Sequence, residues 1–170
     1  MSIITATTND IPALVTLMNS AFRGEVSKQG WTTEADLLEG DKRTDEATVT
    51  ELMQTPGAIF LKYVNEKSEP IGCVFLQKKE SKLYLGMLTV SPAIQAKGIG
   101  KQLMNAAAEY AKQQHCSAIF MNVISLRPEL IAWYERQGYY KTGKTAPFPN
   151  DNRFGTPTQS LEFLIMEKLL

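Results

Sequence analysis

A mixed α/β domain, with helices packed on a sheet, is the fold class that the sequence predicts. Runs with strand character, such as 58–64 and 118–124, are interspersed with helical runs such as 98–115. The strand-like run 83–90 leads through a proline into a loop with two glycines and then into a helix. The chain has 170 residues, 44% of them hydrophobic, which suits a single domain spanning 1–170 with a buried core.

Four helices are predicted from apolar residues that recur every three or four positions. They lie at 11–23, 45–54, 98–115 and 128–137. The first follows the capping residues 8–10 and is expected to end at Gly24. The last begins at Pro128, a residue favoured in a first helical turn, and is expected to end at Gly138.

Seven strands are predicted from short apolar and β-branched runs bounded by turn residues. They lie at 3–6, 58–64, 71–77, 83–90, 118–124, 139–144 and 161–167. The run 83–90 is nearly all apolar, so we expect it to be buried on both faces in the middle of a sheet. Segments 25–43 and 145–157 show no periodic pattern and are predicted to be loops.

Charge and apolar runs exclude several function classes. Eighteen basic residues balance eighteen acidic ones, whereas a generic nucleic-acid binder carries a basic surplus, so no nucleic-acid partner is expected. No apolar run approaches the roughly 20 residues that span a bilayer. The start Met1-Ser2-Ile3-Ile4 lacks the basic segment of a signal peptide. We therefore expect a cytoplasmic protein without a membrane partner.

The thiols and the histidine give no metal-binding pattern. Cys73 and Cys116 are too few for a disulfide framework and are interpreted as reduced structural thiols. His115 is the only histidine, so no second histidine is present to complete a zinc site. No metal site is expected.

The stretch that follows strand 83–90 has the features of an anion site. Its sequence is Gln95-Ala96-Lys97-Gly98-Ile99-Gly100-Lys101. A helix N-terminus leaves backbone N–H groups without partners and carries about half a positive charge, and glycines let a ligand approach closely. The spacing does not fit a Walker A loop, which would need glycine in place of Gln95. It does not fit a dinucleotide fingerprint either, which would need glycine in place of Leu103. Two glycines at such a corner also occur for structural reasons alone.

This loop and a later segment resemble the GNAT N-acetyltransferase superfamily. Gln95-Ala96-Lys97-Gly98-Ile99-Gly100 matches the family's Gln/Arg-x-x-Gly-x-Gly/Ala motif. Trp133-Tyr134-Glu135-Arg136-Gln137-Gly138-Tyr139 resembles its Leu-Tyr-Glu-Lys-x-Gly-Phe signature. The resemblance covers nearly the whole chain. It implies the GNAT fold, a mixed and mostly antiparallel sheet flanked by helices, in which strands 83–90 and 118–124 splay apart to admit the cofactor.

The resemblance also implies acetyl-CoA as co-substrate. Members of the family bind the pyrophosphate of coenzyme A through backbone N–H groups of this loop, here residues 95–101. Lys97 and Lys101 are candidates for added charge, although an exposed lysine is often only solvated. The pantetheine arm pairs with the main chain of the central strand, here at Leu88 and Val90.

Tyr134 corresponds to the family's general acid. When an amine attacks a thioester directly, backbone N–H groups of the central strand polarise the carbonyl, and a positioned phenol can protonate the departing thiolate. Spacing alone favours a packing role for Tyr134 in the core, because Leu130 and Tyr134 share a helix face. The resemblance favours the role of general acid.

Two departures from the family pattern bear on the acceptor. Arg127 stands where members often carry asparagine, and it either pairs with a carboxylate or binds an anionic group of cofactor or substrate. The central strand has no carboxylate, so a base for the protonated amine comes from elsewhere or acts through water. Glu34 beside Trp31 is the best candidate pair for a substrate cation, with an exposed loop carboxylate as the alternative. Asn122 interrupts an apolar strand and is either a cleft residue or a buried, hydrogen-bonded asparagine.

Two functions remain in competition. The first is an N-acetyltransferase that acetylates a primary amine of an unidentified small molecule or peptide, with Tyr134 as general acid. The second is a non-catalytic acyl-CoA-binding sensor or regulatory module, against which the retained Tyr134 argues. Homodimers are common among relatives, and nothing in the sequence establishes one here.

Overall fold

A seven-stranded sheet carries helices on both faces in the computed structural model, which describes residues 2–170. Residue 1, where the predicted domain begins, lies outside the described residues. The strands are β1 (Ser2–Thr5), β2 (Leu38–Glu39), β3 (Ala58–Val64), β4 (Pro70–Lys79), β5 (Lys82–Val90), β6 (Ala118–Ile124), β7 (Tyr140–Pro147), β8 (Thr156–Pro157) and β9 (Glu162–Leu169). The helices are α1 (Ile11–Phe22), α2 (Gly24–Ser27), α3 (Glu46–Gln54), α4 (Ile99–Gln113) and α5 (Pro128–Arg136).

The sheet is mixed and mostly antiparallel, as predicted. Its strand order is β1-β3-β4-β5-β6-β9-β7, and every neighbouring pair is antiparallel except β5 and β6. The parallel pair needs a long crossover, which α4 supplies. The short strands β2 and β8 form a separate pair.

Two apolar layers hold the helices on the sheet. Adjacent strand residues point to opposite faces, so Phe60 joins one layer and Leu61 the other. The layer under α1 and α3 includes Leu14, Met18, Val49, Phe60 and Phe75. The layer under α4 and α5 includes Leu76, Leu85, Leu103, Ala107, Ile119 and Ile131. Cys73 and Cys116 are both buried in these layers, which agrees with their interpretation as structural thiols.

Helix α1 ends at Phe22 with Arg23 as its C-cap, and Gly24 follows in the expected left-handed conformation, with φ of 74°, where it also starts the short α2. Three other expectations need correction. The segment 145–157 is not wholly irregular, because it holds the end of β7 and all of β8. The segment 25–43 is not wholly irregular, because it holds most of α2 and all of β2. Strand β5 is not buried on both faces, because its C-terminal part borders a cleft.

No helix among residues 2–170 is both long and apolar enough to cross a membrane.

Candidate active site

The two parallel strands in the middle of the sheet separate after a few residues. β5 and β6 pair only from Lys82 opposite Ala118 to Tyr84 opposite Phe120. Further along, β5 continues to pair with β4 and β6 with β9. One edge of 85–90 therefore faces a gap with no strand beside it. This is the splay that the resemblance implied, and an unpaired strand edge offers backbone donors and acceptors to a ligand.

A β-bulge lies in the part of β5 that borders the gap. Between the pairs Cys73–Thr89 and Phe75–Gly86, β5 carries one residue more than β4. Met87 has φ of 52°, and the Thr89 hydroxyl donates to the Met87 carbonyl at 2.8 Å. A bulge disrupts the ladder locally and redirects the backbone, which frees groups of β5 beside the gap.

The N-terminus of α4 opens at the mouth of the gap. Gly98 is its N-cap in a left-handed conformation, with φ of 81°, and no side chain caps the helix. The first intrahelical hydrogen bond runs from Gln102 N to Gly98 O at 3.1 Å. The N–H groups of the three residues between them therefore have no helical acceptor and are available to an anion.

A cleft of about 360 Å³ joins the strand gap to this helix N-terminus. It brings together most of the residues singled out in the sequence. Its lining includes Trp31, Glu34, Leu88, Val90, Gln95, Ala96, Gly98, Ile99, Gly100, Lys101, Asn122, Arg127 and Tyr134. Lys97 is exposed and lies outside the lining.

The Gln95 side chain ties the loop before α4 to the segment that follows α2. Its amide nitrogen donates to Thr32 Oγ1 at 2.6 Å and to Val90 O at 3.0 Å, and its oxygen accepts from Thr32 N at 3.3 Å. A β-carbon added at Gly30 would lie 2.3 Å from the Gln95 amide oxygen. Gly30 thus leaves room for the Gln95 side-chain amide, which holds the segment around Thr32 against the loop before α4.

We expect Gln95→Ala and Gly30→Ala to have the same effect, because each removes the Gln95 hydrogen bonds. Alanine at position 30 would push the flexible amide away without straining the backbone. Each variant should lower the free energy of unfolding by about 1–3 kcal/mol and weaken acetyl-CoA binding. Urea titration and calorimetry would measure both effects. The double variant should be no worse than either single one, and additive losses would contradict the shared cause.

Tyr134 lies on α5 with its phenol at the cleft. The residue is buried, and its ring centroid is 5.2 Å from that of Trp133 and 6.0 Å from that of Tyr139. Burial raises the pKa of the Tyr134 phenol well above its ordinary value, and the nearby Arg127 opposes this only in part. The phenol is therefore protonated at neutral pH, and within residues 2–170 its hydroxyl has no hydrogen-bond partner.

Glu34 lies between two buried arginines. One carboxylate oxygen pairs with Arg23 and the other with Arg127 at 3.3 Å. Arg127 also donates to Thr32 O at 2.5 Å, and Arg23 donates to Phe154 O at 2.9 Å. Of the alternatives open for Arg127, the ion pair is the one present. Both Glu34 oxygens already contact a guanidinium, so a substrate cation would have to share the carboxylate with Arg23 and Arg127.

Trp31 and Asn122 both line the cleft. Trp31 is 43% exposed and packs against Trp133 with ring centroids 6.3 Å apart. Asn122 is exposed, so the alternative of a buried, hydrogen-bonded asparagine is wrong. Within residues 2–170 its side chain makes no hydrogen bond.

Sequence reasoning missed two arginines, Arg23 and Arg43. Both border a second cavity, of about 240 Å³, that adjoins the cleft. Neither lies in a motif, and no local pattern could have placed them beside the gap. Among residues 2–170, no three histidine, cysteine or acidic side chains lie close enough together to hold a metal ion.

One family model matches most of the chain. The model described as "Acetyltransferase (GNAT) family" matches residues 13–139. The chain is 33% identical over 89 residues to the uncharacterized protein YdhI of Bacillus subtilis, an alignment covering 51% of each chain. The aligned region spans about half the length of the curated relatives that the chain matches.

Two solved structures illustrate the shared fold. A ribosomal-protein-alanine N-acetyltransferase from Brucella melitensis is 20% identical with a TM-score of 0.73, and all of both chains is covered. A PaiA N-acetyltransferase from Thermoplasma acidophilum, in complex with coenzyme A, is 18% identical with a TM-score of 0.70, again with full coverage. At these identities the likeness shows the fold alone.

Proposed function

The chain belongs to the GNAT acetyltransferase family, and from that premise we propose that it is an N-acetyltransferase moving an acetyl group from acetyl-CoA to a primary amine. One observation carries the proposal: the unpaired edge of β5, the uncapped N-terminus of α4 and the protonated Tyr134 phenol meet in one cleft. A sensor that only binds acyl-CoA would have no use for the third feature.

The cleft residues suit coenzyme A in two places. The free N–H groups of Ile99, Gly100 and Lys101 would hold the pyrophosphate, with Lys101 adding positive charge at the rim. Leu88 and Val90 would pair with the pantetheine arm through their main chain, because this edge of β5 has no strand beside it. The bulge at Met87 would direct a backbone donor toward the thioester carbonyl.

Tyr134 would act as the general acid of the transfer. The amine nitrogen forms a bond to the acetyl carbonyl carbon, the carbon–sulfur bond breaks, and the departing sulfur takes the phenolic proton of Tyr134. The proton lost by the amine passes to water, and a proton from water then converts the Tyr134 phenolate back to the phenol. The products are an amide and the free thiol of coenzyme A.

Water is the proposed acceptor of the amine proton. β5 offers no carboxylate, and both oxygens of Glu34 are paired with arginines. An aliphatic amine has a pKa of about 10, so only a small fraction is free at neutral pH. Catalysis would therefore draw on that free fraction rather than on a dedicated carboxylate base.

Calorimetric titration with acetyl-CoA, run beside a thiol-release assay against a panel of amines and peptides, tests the proposal. Saturable binding with amine-dependent release of thiol is the expected result. Binding with no turnover on any amine would favour the sensor. A folded protein that does not bind acetyl-CoA would overturn the assignment of residues 95–101.

The pH profile gives a separate prediction. kcat/KM for the amine should rise toward a pKa of about 10, because the free amine is the reactive form. Tyr134 has to remain protonated, and burial raises the pKa of its phenol above 10.0. We therefore expect no decline in kcat between neutral pH and about pH 10. A descending limb below that pH that disappears in Tyr134→Phe would contradict the raised pKa.

A further inference from the structure

The second cavity, which adjoins the cleft, is bordered by two segments that are far apart in sequence. The pairing of β2 with β8 joins 25–43 to 145–158, and the Thr158 amide donates to Leu37 O at 3.0 Å. Arg23 adds a link by donating to Phe154 O. The cavity of about 240 Å³ lies between these segments and shares Glu34, Arg43, Ile124 and Phe163 with the main cleft.

This cavity has an excess of positive charge at its junction with the cleft. Arg43 lines both cavities, Arg23 lines the second cavity and Arg127 lines the cleft. The Glu34 carboxylate lies between Arg23 and Arg127 and pairs with both. The other acidic residue of the cavity, Asp151, is paired at 2.7 Å with the exposed Arg153. Three guanidinium groups with one shared carboxylate leave a local surplus of positive charge.

Arg43 is the arginine of this group whose charge is not matched. It lines both cavities, is half-buried, and within residues 2–170 its guanidinium makes no ion pair and no hydrogen bond. A cation held beside like charges and partly withdrawn from water lowers stability unless an anion joins it. Arg23 responds to this environment: burial lowers the pKa of its guanidinium, with the like charges of Arg43 and Arg127 contributing.

The backbone at this position is held independently of the side chain. Asn19 Oδ1 accepts from the Arg43 amide at 2.6 Å and from the Thr44 amide at 2.9 Å. The Asn19 amide donates to Thr44 O at 3.2 Å. Arg43 is thus presented on a fixed turn, and a substitution of its side chain leaves these bonds intact.

The remaining walls of the cavity are apolar. Phe148 and Phe163 pack with ring centroids 5.2 Å apart, and Phe154 completes an aromatic side. The volume is below the roughly 300–1,000 Å³ of pockets for drug-sized ligands, so a molecule of amino-acid size fits it better than a peptide segment.

Building on the proposed function, we infer that the acceptor is a small amine that also carries a carboxylate, which Arg43 binds, and an apolar side chain, which the phenylalanines contact. A guanidinium presents a planar fork that matches a carboxylate with two parallel hydrogen bonds. The acceptor carboxylate supplies the charge that Arg43 lacks, and it fixes the orientation of the amine in the cleft shared with Tyr134.

Thiol-release kinetics on amine pairs test this inference. Each L-amino acid with an apolar side chain is compared with the amine formed by its decarboxylation and with its aminophosphonate analogue. The wild type should favour at least one amino acid over its decarboxylated partner by about 10-fold or more in kcat/KM. Arg43→Gln should abolish that preference by raising KM, with kcat and the affinity for acetyl-CoA unchanged.

Two control variants sharpen the test. Arg43→Lys keeps the charge without the planar guanidinium fork and should retain only part of the preference. Arg136→Gln, on the exposed end of α5, should behave as wild type.

The amine panel also defines the outcomes that would contradict the inference. Preference for the phosphonate would assign the site to a different anion and overturn the proposed carboxylate. Turnover of neutral amines with no amino-acid preference would overturn the inference while leaving the acetyltransferase intact. Failure to bind acetyl-CoA would instead remove the proposed function.

Discussion

Tyr134→Phe should lower kcat by roughly 100- to 10,000-fold and leave the dissociation constant of acetyl-CoA unchanged. The substitution removes one oxygen from a buried ring whose packing against Trp133 and Tyr139 does not depend on it. The thiolate then has to leave unprotonated or take a proton from water. Initial rates of thiol release at saturating acetyl-CoA would give kcat, and calorimetry would give the affinity for acetyl-CoA.

Tyr139→Phe is the matched control. Tyr139 is buried next to Tyr134, and burial also raises the pKa of its phenol, but it does not line the cleft. We expect its kcat to equal that of the wild type. If the two variants were equally impaired, the loss would come from packing of the aromatic cluster, and the general-acid role would be withdrawn. If neither were impaired, the thiolate would depart without help from α5.

Local sequence patterns predicted the part of the site that lies on regular elements. The predicted bounds of β3 and β6 agree with the structure, because both are short apolar runs closed by turn residues. The loop before α4 was recognisable because glycine, a helix start and the preceding strand follow one another in sequence. Tyr134 was singled out by the resemblance of 133–139 to the family signature, whereas spacing alone favoured a core aromatic.

The other half of the site depends on contacts between distant residues, which no local pattern encodes. Glu34 and Arg127 are 93 residues apart, and Arg23 reaches a carbonyl 131 residues away. The insertion of β9 between β6 and β7 and the pairing of β2 with β8 were equally invisible. Glu34 was therefore noticed as a carboxylate beside an aromatic residue, whereas its partners could be identified only once the chain was folded.

Those partners make Glu34→Gln the substitution with the largest expected effect on stability. Only 3% of the Arg23 side chain and 8% of the Arg127 side chain are exposed. Glutamine keeps the shape but removes the charge that neutralises them, leaving two buried cations. We expect the free energy of unfolding to fall by about 3–5 kcal/mol, measured by urea denaturation. Glu25→Gln, whose exposed partner is Lys28, should leave the unfolding midpoint unchanged.

The same variant separates two roles for Glu34. The ion pairs are present under either role, so stability should fall in both cases and the kinetics separate them. If the carboxylate received a substrate cation, Glu34→Gln kept folded at low temperature would raise KM for the amine. If the ion pairs are its role, kcat/KM for amines would change little in the same protein. Because both oxygens already face arginines, an amine would compete with them for the carboxylate. Any guanidinium that it displaced would be left buried without its anion, which would cost more than an exposed cation could return.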